Sequence, residues 1–523
     1  IRRQRQMCIR DSSFTGCFGR KKSGEAFSMP IMDEPTSLDP QIADSDSEKL
    51  VAANCYEGLV RIMADGTIGK GVATDWNISD DGLTYTFKLR NNSHWAMFSG
   101  HKAVLGENYE DTFDITVKAE DFKFGIERTL SEQTGSADAP LFSAVKSIST
   151  PDDFTIVFNL SYADDNFLYA LTNPGAMPCD EEFFNLTNGK YGLDAKYLLC
   201  NGPFHVSKWT EKTSVKLAKN NEYNGESSVS PSSVTFYINN DDSEVADKMN
   251  SVTYDVAFLS SSQFSSIENK KDLNSVAVQN VTYSFIFNQN DNNYRNKNMR
   301  LAFCRSCDTS SLFDSQSDIS KADGIVPPSC KIGGEDYRNG NAAELLSYDE
   351  TLAKKNFNDA LLDLGSSSVE TTILCTEQYE PFVKQMVQKL QKTLGVKFVS
   401  TVKVVSESDL EAAVNDGNYS VAFYPFKAKS SFAGEIIEGF DQNNIFGYES
   451  DVLSQKIRNI KNNSGSLEGE RSAVADAENY LVSEAVIMPV FYENSYFVTS
   501  KKTSGIYFYS SADNVCFINA KKS

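Results

Sequence analysis

The chain has 523 residues, more than one ordinary core accommodates, and a prior of roughly 150 residues per domain points to several lobes. Its 71 acidic and 50 basic residues give a formal charge of −21, which argues against a nucleic-acid partner, since phosphate binding requires clustered cations. The sequence contains no apolar run of about 18 residues, so no transmembrane helix is expected.

The first residues, IRRQRQMCIRDS, have no periodicity and resemble a translated adapter scar, so residues 1–12 are read as non-native. Phe14-Thr15-Gly16-Cys17 resembles the end of a bacterial lipobox, where small residues precede a Cys that becomes lipidated. Cys17 is thus the expected lipid anchor and residues 13–27 the remnant and tether.

In the first structured region, Leu83, Tyr85, Phe87 and Leu89 alternate with polar residues after an Asp81-Gly82 turn, which predicts a half-buried strand. KAEDFKFGIERTL (118–130) carries Phe122, Ile126 and Leu130 at helical spacing. Phe154, Ile156, Phe158 and Leu160 then alternate as a second strand. From Ser347 the period changes. A helix is expected to open on the capping box Ser347-x-x-Glu350 and to close at Gly365. The strand VETTILC follows, then a helix with Pro381 in its first turn and Gly395 at its end. Strand VKFVSTVKVV, a short helix at 410–414 and strand YSVAFY complete αβαβαβ, which implies a mostly parallel sheet under helical cover. Ala485 to Tyr492 fits a buried strand with Pro489 at a bend or edge.

Candidate chemistry is sparse. None of the three histidines stands at metal-ligand spacing, so no metal and no cofactor is expected. Neither a Gly-x-Ser-x-Gly elbow nor a phosphate-cradling Gly-Lys-Ser/Thr loop is present. Cys304-x-x-Cys307 falls on one side of a helix, where both thiols pack as small hydrophobes. Ten cysteines are too few for a disulfide scaffold. Cys179 and Cys200 bracket one segment and are able to pair in an oxidising compartment, a question the sequence leaves open.

Several blocks, in order, resemble the bacterial extracytoplasmic solute-binding proteins of the oligopeptide/dipeptide class, family 5. They are EPTSLDPQ (34–41), the stretch from Tyr56 to Trp95, KAEDFKFGIERTL, NGPFHVSKW (201–209), FIFNQNDNNYRNKNMRLAFCRSCD (285–308), GIVPP (324–328) and AVIMPVFYENSYFV. The likeness spans nearly all of residues 28–520.

The resemblance implies an α/β, periplasmic-binding-protein-like fold (class II, type C). Two lobes are joined by a hinge, and the first is split into two subdomains. Residues 28–55, 170–275 and 485–523 are assigned to lobe I, 56–169 to its β-rich subdomain and 276–484 to lobe II. The implied function is that of a monomeric substrate-binding lipoprotein of an ABC importer. It would sit at the outer face of the membrane, or in the periplasm, hold peptides between its lobes and deliver them to the permease and its ATPase subunits. By position, Asp44, Ser45, Asp46, Tyr283, Phe285, Tyr424, Pro425, Phe426, Lys429 and Tyr492 are the expected ligand-binding residues.

One departure bears on the solute. Peptide-binding members commonly place a Trp and then an Asp in the segment where this chain has Phe426 and Lys429. A lysine there repels a peptide's free ammonium. Either Asp44, Asp46 or Glu435 takes the acid's role, or the solute is a sugar, a nickel complex or haem. An extracytoplasmic hydrolase is the competing class.

Overall fold

The computed structural model describes residues 24–523 apart from 64–66, 165, 226–227, 310–311, 314–317, 428–431, 442–443, 464–465 and 510–514. The residues read from sequence as a scar, the lipobox-like segment with Cys17, and Lys429 lie outside the described residues.

The chain opens with strand β1 (Ala26–Ile31) and helix α1 (Asp46–Cys55). Next come β2 (Ala73–Ile78), β3 (Thr84–Leu89), helix α2 (Ala119–Leu130), β4 (Val145–Asp152) and β5 (Thr155–Leu160). These four strands form an antiparallel sheet in the order β2-β3-β5-β4. The alternation of Tyr85, Phe87 and Leu89 buries one face of β3, as period two requires. Strands β6 (Phe204–Thr210), β7 (Ser214–Lys219) and β8 (Ser233–Ile238) then join β1 in a second sheet, ordered β1-β8-β7-β6. One apolar core unites both sheets, with Phe87 and Phe158 from the first and Phe27 and Phe236 from the second.

The remaining chain builds a seven-stranded sheet. Its elements are β9 (Val256–Ser260), β10 (Leu273–Phe287), α3 (Lys297–Arg305), β11 (Ile319–Lys321), α4 (Glu350–Leu364), β12 (Val369–Thr376), α5 (Glu380–Leu394), β13 (Phe398–Val405), α6 (Glu407–Asn415), β14 (Val421–Lys427), α7 (Ala433–Glu438), α8 (Asp451–Asn462), α9 (Leu467–Ser483) and β15 (Ile487–Ser500). The order is β9-β15-β10-β14-β12-β13, with β11 also paired to β15. The sheet is mixed rather than mostly parallel. Strands β12, β13 and β14 run parallel, while β10 and β15, which come from outside the αβαβαβ run, pair antiparallel.

Both faces of this sheet are covered. Phe285 and Phe287 pack with Met299, Phe303, Phe357 and Leu390 on one side, and Ile286 packs with Leu374, Leu453 and Leu481 on the other. Helix α4 is capped by Asp349, whose side chain accepts from Leu352 N–H, so the helix begins two residues after the expected Ser347. It ends, as expected, at Gly365, whose φ of 62° is left-handed and suits glycine.

Strands β10 and β15 tie the lobes together. Val278 and Phe497 lie in the first lobe's core, whereas Phe285, Val490 and Phe491 lie in the second's. The pairing between them is interrupted between Val278 and Val281. There the Gln279 amide donates to Ser320 Oγ and Asn494 Oδ1, both at 2.7 Å. The domain boundaries expected at 275/276 and 484/485 do not follow this packing. Strand β10 runs through the first, and Ala485, Val490 and Phe491 pack with lobe II.

Candidate functional site

Between the lobes lies a cavity of about 730 Å³. Its first-lobe wall follows the β-rich sheet and carries Tyr162, Asn166 and Tyr169; its second-lobe wall runs from β14 through α7 to Phe446. Strand β14 makes the second wall possible. It pairs with β12 only at Val421 and Ala422, then leaves that neighbour while staying on β10. Pro425, which has no N–H to contribute, sits in this one-sided stretch. Phe426 stacks at 5.8 Å on Phe440, which stacks at 4.6 Å on Phe446, and Tyr424 meets Phe426 edge-on at 5.6 Å. These rings continue into the second lobe's core, so the wall is packed from behind.

Polar contacts span the cleft. The Asn166 amide donates to both Glu470 carboxylate oxygens, at 2.8 and 3.0 Å, and Gly333 N–H donates to Asn166 Oδ1 at 3.4 Å. Asp46, in the first turn of α1, forms an ion pair with Lys427 at the end of β14. The Lys331 ammonium stands 5.2 Å from the centre of the Tyr509 ring. Glu435 and Glu438 bring carboxyl groups to the second wall. Burial holds the Glu438 carboxyl above its ordinary value; Lys461 pulls it down, and Glu435, Asp164 and Asp441 raise it further.

Tyr424, Pro425 and Phe426 line the cavity. Ser45 caps α1 in a reciprocal box with Glu48, and Asp44 N–H donates to Glu48 Oε2 at 3.0 Å, so this loop meets the cleft through Asp46. Phe285 and Tyr283 do not face the cavity. Period two puts them on the opposite side of β10 from Thr282 and Ser284, which oppose Phe426 and Tyr424 across the pairing. Phe285 is wholly buried, and Tyr283 packs 4.3 Å from Tyr379 and 5.2 Å from Phe491. Tyr492 is also a core residue. Its hydroxyl accepts from Asp323 N–H at 3.0 Å, and burial pushes it up to about 12.

The sequence reading missed Tyr162, Asn166, Tyr169, Glu438, Phe440, Phe446 and Glu470. The available signal was an unusual density of aromatic residues in the polar segments after β5 and after α7. Cys304 lies buried on α3, whereas Cys307 falls just past its end at Arg305; burial pushes both thiols up to about 12, which makes them poor nucleophiles. Among the described residues, no cluster of three His, Cys, Asp or Glu groups is placed to hold a metal ion, and no helix is long and apolar enough to cross a membrane.

Comparison with known proteins agrees with this architecture. The dipeptide-binding protein DppE of Bacillus subtilis (strain 168) is 24% identical over 497 residues, covering 91% of this chain and 88% of that protein. The solved structure of Listeria monocytogenes OppA bound to peptide superposes with a TM-score of 0.75 at 21% identity, covering 96% of this chain and 100% of the other. The ABC transporter substrate-binding protein CtaP from Listeria monocytogenes gives a TM-score of 0.77 at 16% identity, again covering 96% and 100%. These superpositions establish the two-lobed fold. A family profile described as "Bacterial extracellular solute-binding proteins, family 5 Middle" matches residues 67–446, and the chain belongs to that family.

Proposed function

We propose that this protein is the solute-binding component of an ABC importer and that it captures short peptides in the interlobe cavity without cleaving them. The observation that carries the reading is the cavity itself: about 730 Å³, aromatic on one side, hydroxyl- and amide-bearing on the other. That volume falls within the roughly 300–1,000 Å³ typical of small-molecule sites. Main-chain groups of an extended guest can hydrogen-bond to such polar residues, while bridging waters let side chains vary. The names of DppE and OppA agree with a peptide as the guest.

Within this reading, Glu435 takes the peptide's ammonium group. Of the three acids considered for that role, it is the one whose side chain lines the cavity. The exported, membrane-tethered state, with Cys17 as the lipid-bearing residue, belongs to the same proposal, as do the permease and ATPase partners. Incubation with a mixed peptide library, washing, denaturation and mass spectrometry test it. Retained intact peptides support binding without turnover; consistently cleaved products, or no retained peptide, reject it.

A further inference from the structure

The chain leaves α1 at Cys55 and returns ahead of β6 at Cys200, and the segment between them carries the four-stranded sheet β2-β3-β5-β4. The two crossings lie side by side. Gly202 N–H donates to Cys55 O at 2.9 Å, Glu57 N–H donates to Asn201 Oδ1 at 3.0 Å, and the Asn201 amide returns a bond to Glu57 O at 2.8 Å. The approach is close enough that a Cβ on Gly202 would stand 2.7 Å from the Cys55 carbonyl. Cys55 and Cys200 are 0% and 1% exposed and both thiols are free; burial raises the Cys55 thiol, and Cys200 raises it further. Cys179, the partner considered for Cys200 from sequence, is occupied elsewhere: its sulfur accepts from the Arg128 guanidinium at 3.6 Å and interacts with Tyr191.

We propose that Cys55 and Cys200 are joined by a disulfide in the exported protein. The inference rests on the extracytoplasmic location, where such bonds persist. The oxidant is a disulfide, either a small molecule such as oxidised glutathione or the reactive pair of a protein oxidase. One thiol loses its proton and attacks that disulfide, expelling a thiolate. The second deprotonated thiol then attacks the mixed disulfide and expels the other thiolate. Two protein thiols are oxidised and one disulfide is reduced to two thiols. Because both sulfurs are buried in the folded chain, the exchange occurs before folding is complete. The bond closes the neck of the segment bearing Tyr162, Asn166 and Tyr169, so it fixes one wall of the cavity to the lobe's main body and restricts the unfolded chain over a long loop.

The test uses the full chain, reduced, unfolded and refolded in mixed reduced and oxidised glutathione. Thiols are then trapped with iodoacetamide in denaturant and the digest is read by mass spectrometry. The expected result is a peptide pair linked through Cys55 and Cys200, lighter than the two free peptides by two hydrogens. Both residues alkylated, or Cys200 linked to Cys179, overturns the proposal. Thermal unfolding gives a second readout. Cys55→Ser, Cys200→Ser and the double variant are expected to share one lowered Tm, and dithiothreitol, applied while the protein is unfolded, brings the wild type down to it. A wild-type Tm indifferent to that treatment overturns the proposal. Peptide retention by the double variant reports separately on the binding function.

Discussion

On the second-lobe side of the cavity, Phe426, Phe440 and Phe446 stack on one another and merge into the core beneath the large sheet. On the first-lobe side, Tyr162, Asn166 and Tyr169 come from short turns and one four-residue helix, and Asn166 reaches across the cleft to Glu470. The apolar wall stays fixed because packing holds it from behind. The polar wall is completed by hydrogen bonds that exist only when the lobes are together, so it is the wall that registers closure.

Four substitutions separate these roles. Phe440→Ala removes a buried ring from the packed side and is expected to cost about 3–5 kcal/mol of stability, read by urea unfolding. A loss no larger than that of an exposed residue would show that the wall is not part of the core. Asn166→Ala deprives the buried Glu470 carboxylate of its cross-cleft donor, which costs the closed form about 1–3 kcal/mol. Solution scattering is expected to show a more open particle, with weaker peptide binding and little change in unfolding.

The third test is Glu438→Gln. With the folded-state value raised above 4.5, the carboxyl's contribution to stability is fully present below that value and is lost as pH rises through the raised one. The variant is therefore expected to unfold at a higher temperature than wild type near neutrality, with no advantage well below 4.5. An equal gain at both pH values would point to packing instead. Asp46→Asn is the mildest, because the pair with Lys427 is about half exposed. It is expected to change peptide affinity by about 0–1 kcal/mol, and by less as salt is added.

The elements written most plainly in the sequence are those whose pattern depends on local periodicity. The alternation through Tyr85 and Phe87 and the Pro381-to-Gly395 helix both appear where the pattern puts them. The capping of α4 shows the limit of such signals. Ser347 and Asp349 are both good caps, and the structure uses Asp349. Site residues were harder to read because they depend on which face of a strand meets the other lobe. Alternation groups Tyr283 with Phe285 but does not say that this face is the core. Asn166 and Glu470 are 304 positions apart, and nothing local to either announces the other.

The irregular rung between Val278 and Val281 has a mechanical consequence. Because β10 and β15 pass between the lobes as one hydrogen-bonded ribbon, twisting or sliding would break many backbone bonds, whereas bending at the interrupted rung breaks few. The two bodies then move along one angular coordinate, like covers on a spine. Under the proposed function, a partner that gauges this angle would learn whether the protein is occupied without touching the guest, so one docking surface would serve cargoes of different sequence.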